Sequence, residues 1–119
     1  MSQTSSKLNV SNQDDVVVVN FLERNILDEP SIQQIGQELG GLIDASPSPK
    51  LLLDFDNVEH LSSAALGTLI TVNNKVREKD GQLRLSNINK QIYEVFAITK
   101  LNKLFQIHET NEKALKSFK

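Results

Sequence analysis

The sequence predicts an α/β domain with a mixed, largely parallel central sheet of about five strands and about four helices. Three observations carry this reading. Short β-branched or aliphatic runs alternate with longer segments of helical periodicity. The chain has 119 residues, enough for one core and too few for a second domain. Its 39% hydrophobic and 24% charged content is that of an ordinary globular protein.

The elements follow in order. Met1 to Lys7 is polar and reads as a flexible tail ahead of a domain over residues 8–119. Leu8 and Val10 alternate with polar neighbours, Asn12 to Asp15 turns the chain, and Val16 to Asn20 runs on into Phe21 and Leu22, giving a hairpin. The unbroken valines imply a strand covered on both faces. Asp28 ahead of Pro30 suits a helix start, since the carboxylate caps first-turn amides and proline needs none there. Ile32, Ile35, Leu39, Leu42 and Ile43 form its apolar stripe, and Ser46-Pro47-Ser48-Pro49 ends it. Lys50 to Phe55 is a buried strand, and Leu61 to Asp80 the longest helix, with Asn73 interrupting its stripe. Gly81 stands where a helix-terminating C′ glycine belongs. Leu83 and Leu85 mark another strand, and Ile88, Ile92, Val95 and Phe96 a short helix. Leu104 to Ile107 reads as the last strand and Thr110 to Phe118 as the closing helix. The order is β-β-α-β-α-β-α-β-α, whose right-handed crossovers place parallel strands centrally and the first hairpin strand at an edge.

Composition excludes several classes of function. Thirteen Lys and Arg against fifteen Asp and Glu leave a net charge of -2, which gives no electrostatic footprint for nucleic acid. With no Cys there is no disulfide or thiolate chemistry, and two His cannot build a His-rich metal centre. The longest strictly apolar runs, Val16 to Val19 and Leu51 to Leu53, fall far short of a membrane span, and the N-terminus has no apolar signal region. Cytoplasm is the expected location. No Gly-rich phosphate loop is present, so no cofactor and no metal are expected.

The informative segment is Leu51 to Gly67, LLLDFDNVEHLSSAALG. Its first half matches the strand-D-x-D pattern of haloacid-dehalogenase-like phosphatases, in which Asp54 would attack phosphorus and Asp56 would handle the proton. That chemistry needs downstream carboxylates for Mg²⁺, and the later acids Glu94, Glu109 and Glu112 are isolated. The plainer role for Asp54 and Asp56 is to accept loop amides at a strand end. A Ser62 or Ser63 nucleophile with His60 as base lacks the Gly-x-Ser-x-Gly elbow. The third option is a hydroxyl at a helix N-terminus acting as a phosphorylation switch. One Ser of the pair is needed as N-cap, which leaves the other available. A phosphoryl group there meets free amides and the positive end of the helix dipole. Ala64, Ala65 and Gly67 keep this turn small. Gly67 costs roughly 0.8 to 1 kcal/mol against Ala inside a helix, so either tight packing on its own sheet or partner contact must explain it.

The element order and DFDNVEHLSSAALG together resemble the STAS domain of bacterial anti-sigma-factor antagonists, whose motif D-S-[ST]-G-L-G opens a helix after an Asp-ended strand. Aligned on Leu66-Gly67, Ser63 falls on the phosphorylated Ser of that motif. Asn25-Ile26-Leu27-Asp28 falls on G-x-[IL]-D, and Leu83 to Ser86 on the fourth strand. Leu101-Asn102-Lys103-Leu104-Phe105 is similar to the family's approach to its last strand. The sequence departs from the motif at Ser62 for Asp, Ala64 for Ser or Thr, and Ala65 for Gly.

The resemblance implies a non-enzymatic partner switch. The unmodified antagonist binds an anti-sigma factor that is itself a serine protein kinase of the histidine-kinase-like ATPase fold. Phosphorylation ends that interaction and a cognate phosphatase restores it. It implies Ser63 as acceptor, with Ser62 as second choice, and a partner surface of Asp28, Ser62, Ser63, Ala64, Ala65 and Gly67. The alternatives are a STAS scaffold or signalling subunit without switching and, more remotely, the phosphatase.

Overall fold

The computed structural model describes residues 7–118. A five-stranded sheet runs in the order β1 (Leu8–Gln13), β2 (Val16–Phe21), β4 (Lys50–Asp54), β6 (Gln82–Ser86), β7 (Gln106–His108). Only the β1–β2 pair is antiparallel, so the mixed and largely parallel sheet expected from sequence is the one that forms. A second sheet joins β3 (Asn25–Ile26) to β5 (His60–Leu61) in parallel. The helices are α1 (Glu29–Asp44), α2 (Ser63–Glu78), α3 (Lys90–Ile98) and α4 (Asn111–Ser117).

The valine run is covered on both faces, as its composition requires. Val19 joins Leu51, Leu53 and Leu85 in the main core, closed by Ile35, Leu39 and Ile43 of α1, Leu69 and Val76 of α2, and Phe96 of α3. Val16 and Val18 face the other way, with Leu52, onto Ala114 of α4. On that second face Arg84 is buried, with no carboxylate partner among the described residues. Its Nε–H donates to Ser117 Oγ (2.9 Å), other guanidinium N–H groups donate to the Leu83, Gln82 and Ser117 oxygens, and the group lies 4.9 Å from the centre of the Phe118 ring. It fastens the C-terminal end of α4, where exposed carbonyls favour a cation.

Several boundaries differ from the sequence reading. The tail assigned to Met1–Lys7 lies outside the described residues except for Lys7, whose main-chain N–H donates to Glu38 Oε2 (3.1 Å). Leu61 belongs to β5, so α2 starts two residues later than expected, because Ser62 caps it. The last strand is Gln106–His108 because Leu101–Lys103 coils into a 3-10 turn after Lys100, which adopts a left-handed conformation at φ 65°. Gly81 is not the left-handed residue after α2. Asp80 takes that role (φ 56°), with Asp80 N–H donating to Arg77 O (3.0 Å) and Gly81 N–H to Val76 O (2.8 Å). Glycine is needed at 81 for space, since a Cβ there would lie 2.3 Å from Pro49 O.

Candidate functional site

Two helices begin side by side at the small sheet. Asn25 pairs with His60 and Ile26 with Leu61, and each strand leads at once into a helix. Asp28 caps α1 in an extended conformation and accepts from Ser31 N–H (3.2 Å). Hydrogen bonding from Ser31, side chain first and then main chain, holds the Asp28 carboxyl below its usual range. Ser62 caps α2 in the same way, its Oγ accepting from Ala65 N–H (3.2 Å), while its own main-chain N–H donates to Ile26 O (3.1 Å). That last bond ties the start of α2 to the strand that feeds α1.

The two serines therefore have separate tasks. Ser62 spends its hydroxyl on the cap, which Ser performs as well as the Asp it replaces in the family motif. Ser63 is the first residue of α2 and is exposed, as are Ala64 and Gly67. The first turn of α2 carries no acidic residue, and first-turn amides lack helical acceptors, so negative charge at this end is favoured. Ala65 differs from the expectation that placed it on the partner surface. At 4% exposure it turns inward with Ile26, Ile32 and Leu61, because a residue two places after an outward N1 position faces the sheet. Gly67 faces open space, with no atom within 4 Å of a Cβ built on it. Packing of α2 on its own sheet does not explain this glycine.

The neighbouring carboxylate is structural. Asp54 is 5% exposed at the end of β4. Its Oδ1 accepts from Asp56 N–H (2.9 Å) and Asn87 Nδ2 (2.9 Å), and its Oδ2 from Asn20 Nδ2 (2.9 Å) and Asn111 Nδ2 (2.8 Å). Burial pushes its pKa up, but the hydrogen bonds from Asn87, Asn111, the Asp56 main chain and Asn20 together outweigh that and lower it. A nucleophilic carboxylate must offer an oxygen to phosphorus, whereas both oxygens here are held by amides. Among the described residues no three His, Asp or Glu side chains gather as metal ligands, and Asp56 is exposed. His60 is exposed and its Nδ1 lies 2.8 Å from Asn25 Oδ1, so the ring is fastened within the small sheet. The asparagine partners of Asp54 were missed in the sequence. The available signal was an Asn at or just after the ends of two parallel strands, Asn20 and Asn87.

Residues 7–114 match the family model described as the STAS domain. The chain belongs to the STAS domain family. Among curated proteins, this STAS domain is 25% identical over 96 residues to BtrV of Bordetella bronchiseptica, which is named as a candidate anti-sigma factor antagonist. The match covers 81% of this chain and 82% of the relative. Among solved structures, an anti-sigma-factor antagonist (STAS) domain protein from Planctomyces limnophilus matches with a TM-score of 0.84 at 20% identity. That match covers 96% of this chain and 98% of the other. The Bacillus cell fate determinant SpoIIAA, solved in its phosphorylated form, matches with a TM-score of 0.67 at 15% identity, covering 92% and 96%. Among the described residues of this STAS domain no helix is long and apolar enough to cross a membrane.

Proposed function

We propose that this STAS protein is an anti-sigma-factor antagonist that works by partner switching and performs no catalysis of its own. Its partner is an anti-sigma factor with serine kinase activity of the histidine-kinase-like ATPase fold, bound in the cytoplasm through Asp28, Ser62, Ser63, Ala64 and Gly67. Phosphorylation of Ser63 ends that binding, and a cognate phosphatase resets it. The observation that carries this reading is the division of labour at the start of α2. Ser62 is occupied as cap while Ser63 stands exposed beside the outward, unobstructed Gly67. The relationship to a curated candidate antagonist and the fold shared with a phosphorylated SpoIIAA support it.

The chemistry agrees with the geometry. A phosphoryl group on Ser63 adds about 1.5 to 2 negative charges beside first-turn amides, so the folded domain tolerates it. In a packed interface the same charge is opposed by desolvation, and a penalty of about 3 kcal/mol weakens binding roughly a hundredfold. The test is incubation with ATP and a serine kinase of the histidine-kinase-like ATPase fold from the same organism, followed by tandem mass spectrometry. Phosphate on Ser63 is the expected result. An unmodified protein, or phosphate on Ser62 or the N-terminal serines alone, rejects the assignment.

A further inference from the structure

The segment that delivers Ser63 is fastened from two sides. Residues 55–59 cross from the end of β4 to β5 and α2 without belonging to a strand or helix of their own. On one side the main-chain N–H groups of Glu59 (2.7 Å) and His60 (3.2 Å) both donate to Arg24 O, and Asn57 Nδ2 donates to Phe21 O (3.3 Å) and Leu22 O (3.1 Å). These bonds tie the segment to the stretch between β2 and β3, which leads on to Asp28.

The other side depends on one side chain. Asn89 is half-buried and caps α3 in an extended conformation, its Oδ1 accepting from Ile92 N–H (2.8 Å). Its Nδ2 donates to both Val58 O and Glu59 O (3.2 Å each). Ser or Asp would cap a helix about as well. Of these residues only Asn also carries an NH2, which can hold two carbonyls of a neighbouring segment while the oxygen caps. Two residues earlier, Asn87 Nδ2 donates to Asp54 Oδ1 (2.9 Å), so the short connection from β6 to α3 grips the crossing segment at its start and at its end.

Glu59 is thus held across its own peptide groups, by N–H to Arg24 and by C=O to Asn89. The chain then runs through His60 and Leu61 to Ser62, whose main-chain N–H is bonded to Ile26 O (3.1 Å), and Ser63 follows as the first residue of α2. A shift at Glu59 therefore carries over four residues into the start of that helix. We infer that Asn89 is a positioning residue for the switch: by holding the Val58 and Glu59 carbonyls against α3, it fixes where α2 begins and so where the Ser63 hydroxyl stands relative to Asp28. Asn89 acts through the segment and needs no contact with the partner. The inference rests on Ser63 being the phosphate acceptor.

The experiment is single-turnover phosphorylation of Ser63 in the full chain by the serine kinase and ATP of the preceding test, with circular dichroism to verify folding. Asn89→Ser and Asn89→Asp both keep a cap on α3 and lose the NH2, and only the second adds a charge. Thr110→Ala removes the cap of α4, whose Oγ1 accepts from Lys113 N–H, and supplies a destabilised variant whose change is remote from the segment. At saturating kinase the rate constant should fall at least about tenfold in both Asn89 variants, because a small displacement of the acceptor hydroxyl takes it off the line of attack, and stay at the wild-type value in Thr110→Ala. Wild-type rates in Asn89→Ser overturn the inference, even if Asn89→Asp is slow, since the added charge then accounts for the effect. An equal fall in Thr110→Ala overturns it too, because stability and not position then sets the rate. Each of these results leaves the functional reading standing. Wild-type protein that takes no phosphate on Ser63 rejects that reading and this inference with it.

Discussion

Gly67→Ala separates the two reasons a helix keeps a glycine. Gly67 sits in the second turn of α2, and nothing lies within 4 Å of the methyl that alanine would add. With no clash to oppose it, the change gains the helix-propensity difference, about 1 kcal/mol. For a chain of this length that is a rise in Tm of about 4 °C. The added methyl is fully outward, so if the bare backbone of this turn is where a partner approaches, it prevents that approach. Stability and binding then move in opposite directions. Gly41 supplies the control, being equally unobstructed but near the far end of α1. Gly41→Ala raises Tm by a similar or smaller amount and leaves binding alone. Thermal denaturation gives the first quantity and titration calorimetry against the kinase-type partner the second, with at least about tenfold weaker binding expected for Gly67→Ala. Equal affinity for both variants refutes the partner-contact explanation. A lowered Tm for Gly67→Ala refutes the geometry from which the gain was derived.

Other outcomes follow from the same contacts. Ser62→Ala removes the bond to Ala65 N–H and costs about 1 kcal/mol in thermal denaturation, while Ser63→Ala changes stability by less than about 0.5 kcal/mol. Asp54→Asn replaces one carboxylate oxygen by an NH2 that must face two donors, either Asn20 and Asn111 or Asn87 and the Asp56 N–H, and urea titration should show a loss of about 3 kcal/mol with the slope unchanged. The depressed pKa of Asp54 gives stability that is fully present above the unfolded-chain value of about 3.9 and is lost as pH falls through the lower folded value. Urea midpoints should therefore drop more steeply below about pH 4 in the wild type than in Asp54→Asn. Gly81→Ala forces a methyl onto Pro49 O and Val76 Cγ1, and a loss of about 2 kcal/mol is expected in the same titration.

The four helices and the five main strands were legible because each runs long enough to show its period. The stripe Ile32, Ile35, Leu39, Leu42 and Ile43 identifies α1; four of the five are buried and Leu42 is half-buried. The cap at Asp28 was legible too, since carboxylate before proline is a local signal that local geometry honours. β3 and β5 were not, because two residues cannot display an alternation. The strand misplaced at Leu104 failed for a different reason. The 3-10 turn at Leu101–Lys103 has Leu104 N–H bonded to Leu101 O (2.9 Å), and an apolar Leu-Phe pair reads alike in either conformation.

What the sequence determined by itself was the set of local decisions: the order of the four helices and the five main strands, and a serine pair at a helix start. Those depend on neighbours within a few residues, which the chain states directly. Tertiary structure decided which serine is spent on the cap, that Ala65 turns inward, and that Gly67 faces open space. It also made Asp54 a fixed anchor, through amides 34, 33 and 57 residues distant in the chain. Above all it set the starts of α1 and α2 side by side through the pairing of Asn25–Ile26 with His60–Leu61. That pairing is a long-range hydrogen-bond arrangement, and no window of sequence contains both of its halves.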